Sequence, residues 1–161
     1  MPSIFSMNTS LNRLYENDFY GWIQHQAHTL RTRNLSALDF EHLIEEIESM
    51  GRSEQRALES RLEILLIHLL KWQFQARLQS PSWRFTIKEQ RRRIAKLLKK
   101  NPSLTSTFNE VINDAYESAI ILAAEETGLD ESVFPNTCPW SFTQIMDESF
   151  WPQADDSDSL D

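Results

Sequence analysis

A chain of 161 residues, 40% of them apolar, is long enough to bury one continuous core without disulfide staples. Three glycines and a single cysteine, Cys138, exclude a hairpin-rich sheet protein, an internal disulfide and a Cys-rich zinc site, and they suit a reducing, cytoplasmic setting. The net charge of −8 repels polyanions at long range, and the longest apolar run, Ile64 to Leu70 broken by His68, is far shorter than the roughly 20 residues that cross a bilayer.

Residues 1–13 show no periodicity and lack a basic stretch followed by an apolar one, so a flexible lead-in without a secretory signal is expected there. A first helix starts near Asn17 or Asp18, either of which caps it, ends near Asn34, and sets Phe19, Trp22, Ile23, Gln26 and Leu30 on one face. Asp39 caps a second helix whose apolar stripe keeps its phase from Phe40 through Leu43, Ile44, Ile47 and Gly51 to Leu58, Leu62, Leu65, Leu69 and Trp72. Unbroken to about Gln75, it forms the spine of a bundle. Gly51 is its weak point, since glycine inside a helix is costly, but the preserved phase favours continuity over a kink.

Ser80-Pro81-Ser82 stops that helix and opens a third, which carries Trp83, Ile87, Ile94, Leu97 and Leu98 inward. Asn101-Pro102-Ser103 ends it. A fourth helix runs from about Leu104 to Thr127, with alanines lining its second half and Gly128 as its stop. Beyond it Asp130 caps one turn and Ser141 or Thr143 another, while Phe134, Trp140, Phe150 and Trp151 pack this segment onto the bundle. The acidic stretch 153–161 lacks apolar anchors and is expected to be disordered. The expected fold is thus all-α: an irregular bundle of four main helices in a single domain over 14–152, with a long central second helix and a short aromatic-rich C-terminal segment.

Several blocks carry a family resemblance: LYENDFYGW at 14–22, LIEEIESMGRSE at 43–54, HLLKWQFQ at 68–75, SWRFTIKEQRRRI at 82–94, NPSL at 101–104, ETGL at 126–129 and FWP at 150–152. In this order they resemble the bacterial family known as domain of unknown function twenty-nine, over about residues 14–152. The resemblance implies a small helical fold. It brings no activity, substrate or site residues with it.

Charge is unevenly distributed. Residues 71–100 hold ten of the sixteen Lys and Arg against one acid, Glu89, whereas residues 101–161 hold thirteen acids and no base. On the third helix Arg84, Lys88, Arg92, Lys96 and Lys99 recur at helical spacing and form a candidate anion-binding face. The plainer reading is a solvated face that neutralises acidic helices of the same chain or of a partner. No nucleic-acid motif or base-stacking aromatic platform accompanies it.

Two charged residues fall on inward faces: Glu54, in phase with Leu58, and Arg91, within the arc of Ile87 and Ile94. A buried unpaired charge costs several kcal/mol, so Glu54 and Arg91 form a candidate buried ion pair. Glu41, Glu45 and Glu48 share one flank of the second helix, but a di-metal bundle centre needs Glu-x-x-His pairs, which are absent. Glu45, Glu48 and His68 are the nearest metal candidates, and no metal or other cofactor is expected. His25, His28 and His42 project to the polar side, and Cys138 has no neighbouring base to activate it. Without a phosphate loop, nucleophile elbow or zinc motif, the reading leans away from an enzyme. It favours a non-enzymatic module for protein partners or self-association, with a nucleic-acid regulator next and a metal-binding or enzymatic bundle last.

Overall fold

A computed structural model describes residues 4–155, and among them the chain is helical without a strand. Its elements are α1 (Ile4–Asn17), α2 (Phe19–Arg31), α3 (Phe40–Phe74), α4 (Pro81–Lys100), α5 (Phe108–Thr127) and the short α6 (Phe142–Met146), joined in places by 3-10 turns. Five long helices therefore replace the four expected. The addition is α1, which occupies most of the stretch read as a lead-in. Its sequence is rich in Ser, Asn and Thr, poor helix formers whose preference is overridden in the folded chain.

The local stop and start signals act as their chemistry dictates. Asp18 caps α2, its side chain accepting from the Gly21 amide at 2.9 Å. Ser80 caps α4 by accepting from the Trp83 amide, with Pro81 in the first turn, where a missing N–H is harmless. Gly128 ends α5 at φ 73°, in the left-handed region that glycine tolerates. α5 begins at Phe108 rather than near Leu104, because Pro102–Thr107 winds as a 3-10 helix first. Ser141 and Gln144 form a reciprocal capping box on α6. The expected acidic tail lies, from residue 156 on, outside the described residues.

α3 runs unbroken for 35 residues through Gly51. The chain divides along it into two compact units, Met1–Ser53 and Glu54–Asp161, a boundary that the reading of one domain over 14–152 did not draw.

The second unit holds the extended apolar core. Leu58, Leu62, Leu65, Leu66, Leu69 and Leu70 of α3 are fully buried with Ile87 and Ile94 of α4, Ala115, Ala119 and Ala123 of α5, and Ile145 of α6. Each buried leucine or isoleucine contributes about 1.5–3 kcal/mol relative to exposure. Aromatic pairs close its periphery: Phe108 stacks on Phe142 at 3.8 Å between ring centroids, and Trp72 meets Trp151 at 4.7 Å.

The first unit is built differently. Among its described residues only Trp22 and Leu38 are buried apolar side chains, accompanied by the polar Gln26 and Thr29. Phe19, Ile23 and Leu30, expected inward on α2, are exposed.

Candidate interaction surfaces

The apolar stripe of α3 has two fates. From Leu58 to Trp72 it is buried, yet Phe40, Ile44 and Ile47, on the same face of the same helix, are 56%, 54% and 65% exposed, and Met50 beside them is 68% exposed. Gly51 continues the row, and among the described residues a Cβ built on it would meet nothing within 4 Å beyond its own helix backbone. Contiguous exposed apolar side chains of this size mark surfaces that meet another molecule.

Behind that stripe, α1, α2 and α3 are joined by polar groups that the sequence reading left unconnected. Asp39 is the hub. Its carboxylate accepts from Trp22 Nε1 at 3.0 Å and lies 2.7 Å from His42 Nδ1, while its own amide donates to Gln26 Oε1 at 2.9 Å. A carboxylate only accepts, so His42 Nδ1 is the donor in this contact. Tyr15 of α1 stacks on the His42 ring at 3.9 Å and donates its hydroxyl to Glu46, and that bond, with burial and the carboxylates nearby, pushes the Tyr15 phenol up to about 12. His42 thus turns into the unit rather than outward, because α1 supplies an aromatic partner. A hollow of about 430 Å³ lies beside this network, lined by Asn8, Asn12, Leu38, Asp39, Phe40 and His42 among others.

In the second unit the cations of α4 do not act as one face. Arg92, Lys96 and Lys99 line a groove of about 720 Å³ together with Arg61 of α3, Arg93, Lys100 and Leu97. Arg84 lies elsewhere, over the rings of Trp72 and Trp151 at 5.8 and 5.5 Å, and Lys88 is not among the lining residues. Two carboxylates offset part of the charge. Glu89 binds Arg92 and Arg93, whose hydrogen bonds hold its carboxyl down to about 2, and Glu54 lies 3.6 Å from Lys100 Nζ. The contribution of Arg61 was invisible in sequence, because helical spacing reports one helix at a time.

The expected Glu54–Arg91 pair does not form. Glu54 accepts from Asn101 Nδ2 at 2.9 Å, at the end of α4, where a side-chain amide is in reach. Arg91, 2% exposed, instead donates through Nε to the Ile145 carbonyl and through Nη2 to the Phe150 carbonyl, both at 2.8 Å, with its guanidinium over the Trp151 ring. Burial lowers its pKa, and Asp147 and Glu148 act in the opposite sense. The inward phase of both residues was legible. Which acceptors they would find depended on the path of the C-terminal segment, for which no periodicity exists.

Among the described residues no three His, Cys, Asp or Glu side chains converge as a metal ion requires. His68 is occupied locally, its Nδ1 lying 2.7 Å from the Ile64 carbonyl, and burial lowers its pKa. The half-buried Cys138 thiol is pushed up by burial and donates to the Trp140 carbonyl at 3.5 Å. Among the described residues no helix is long and apolar enough to cross a membrane.

Neither a curated protein nor a solved structure matches the chain. A family model described as Domain of unknown function DUF29 does match it, over residues 14–151. That span covers most of both units, and the chain belongs to this family.

Proposed function

We propose that this chain is a non-enzymatic interaction module that docks a helical protein surface onto the first half of α3. The observation that carries the reading is the change in exposure along one helix face: buried from Leu58 onward, bare at Phe40, Ile44 and Ile47. The same side-chain chemistry that builds the core of the second unit is left against water in the first. Covering it recovers roughly 25 cal/mol for each Å² of apolar surface removed. The thin core of the first unit adds to the case, since a small unit with few buried apolar groups gains stability from a partner.

The test is site-specific cross-linking in the cell of origin, with a photoreactive residue in place of Ile47 and, as a control, in place of the exposed Glu117 on α5. A defined protein adduct at Ile47 and none at Glu117 is expected. Equal labelling at the two positions, or none at Ile47, overturns the reading.

The groove of Arg61, Arg92, Arg93, Lys96, Lys99 and Lys100 favours a second reading, contact with a nucleic-acid backbone. Its affinity must then fall steeply with salt and be lost in Lys96→Glu/Lys99→Glu. The overall charge of −8 weighs against it. Binding that ignores salt, or that survives both substitutions, removes it.

A further inference from the structure

We infer that the occupant of the bare α3 face is a second copy of this chain, paired antiparallel so that Phe40 of each copy fills the space over Gly51 of the other. This rests on the reading of α3 as a docking surface and adds its partner and register. The spacing of the row supports this pairing. Phe40, Ile44, Ile47 and Gly51 are separated by four, three and four positions, a series that reads identically in both directions. An antiparallel helix pair related by a two-fold axis therefore matches the row to itself without a gap. Setting Ile44 opposite Ile47 of the second copy brings Phe40 opposite Gly51, and the other half of the interface repeats both contacts.

Steric fit at Gly51 supports it as well. Gly51 sits inside a 35-residue helix, where glycine is unfavourable, and among the described residues nothing but its own helix backbone lies within 4 Å of where a Cβ would be. No packing among the described residues explains its presence, whereas an incoming ring needs the missing side chain. A parallel pairing lacks this fit, because it would set Phe40 against Phe40 and leave an empty notch at Gly51.

Charge modulates this pairing and on balance opposes it, since the flank that meets its own copy carries Glu41, Glu45 and Glu48 against Arg52 alone. In an antiparallel pair the same flank of each helix meets, so Arg52, exposed and 3.9 Å from Glu48 in its own chain, comes within reach of Glu41 of the second copy. Glu45 and Glu48 approach each other across the same flank. They are exposed, so their repulsion is modest, and salt that screens it strengthens the pairing. The stems of Glu48 and Arg52 extend the apolar surface of the stripe, against the roughly 800 Å² per partner of a standard interface. Association is thus concentration-dependent rather than permanent.

The experiment uses the full chain with Cys138→Ser, so that introduced thiols alone react. One preparation carries Ile44→Cys and another Ile47→Cys. Mixed under mild oxidation, they should form the Ile44-to-Ile47 cross-linked dimer faster than either preparation cross-links with itself. Self-cross-linking of either at an equal or greater rate, or no cross-linking at all, overturns the register. In parallel, sedimentation equilibrium of the unaltered chain should show a monomer and dimer in exchange, tightening as salt is raised. Gly51→Leu should keep full helicity by circular dichroism and weaken dimerisation by about tenfold or more. Dimerisation undiminished in folded Gly51→Leu, or an unaltered chain that is monomeric at every concentration, overturns the proposal. If the chain is monomeric while Ile47 captures a different protein in the cell, the docking reading stands and self-pairing alone falls.

Discussion

The side chains that decide most in this protein are polar ones placed among apolar neighbours. Arg91 satisfies two carbonyls of the segment after α5, which has little regular structure to satisfy them otherwise. Arg91→Met keeps much of the packing but strands the Ile145 and Phe150 carbonyls, so it should cost about 2–4 kcal/mol. Urea unfolding monitored by tryptophan fluorescence measures this. A loss below 1 kcal/mol would mean that water reaches both carbonyls. Tyr15 gives a pH signature. Its phenol is held at about 12 against an ordinary 10.0, so the folded state keeps a proton that the unfolded chain releases. The stability linked to that proton is complete below pH 10 and is lost as pH rises from 10 toward about 12. Tyr15→Phe should therefore flatten the alkaline fall in melting temperature over this window relative to the unaltered chain. Tyr116, also raised by burial and bonded to the Pro135 carbonyl, contributes equally to both and cancels.

At the scale of elements, Gly51 separates intrinsic helix preference from the needs of a surface. Gly51→Ala adds a methyl group into open space, and in dilute solution it should stabilise α3 by about 1 kcal/mol, read as a rise in melting temperature. An unchanged or lower value would mean that α3 is bent or loosened at this point. The continuity of α3 was legible because an apolar row that holds its phase across a glycine has no reason to break there. The caps at Asp18 and Ser141 and the stop at Gly128 were legible for an equally local reason, since each acts within a few residues. α1 was not. Its apolar residues are interspersed with Ser, Asn and Thr, which are poor helix formers, and its place depends on Tyr15 meeting His42 and Glu46, contacts between residues that are distant in sequence. The same limit hid the basic groove, whose Arg61 and Lys96 come from different helices. Periodicity gave the correct face of α3, but it carries no information on whether anything covers that face.

For the whole molecule, the contrast between the units becomes a statement about where the chain opens. The second unit has a continuous set of buried leucine, isoleucine and alanine side chains drawn from four helices. The first has Trp22 and Leu38, held by hydrogen bonds centred on Asp39. Free energy of opening follows buried apolar surface, so the two should not exchange their amides alike. In native-state hydrogen exchange on a dilute sample, amides of Leu62 to Trp72 should open only with global unfolding, and those of α2 should open at several kcal/mol less. Asp39→Ala removes the hub of the polar network and should lower the first value little while abolishing measurable protection in α2. Equal protection in α2 and in Leu62 to Trp72 would show that a hydrogen-bonded network can replace an apolar core, and the case for a partner over α3 would lose its energetic ground. Protection of residues 40–51 that rises with chain concentration, while that of Leu62 to Trp72 stays fixed, would place the missing apolar contacts at the stripe of Phe40, Ile44 and Ile47.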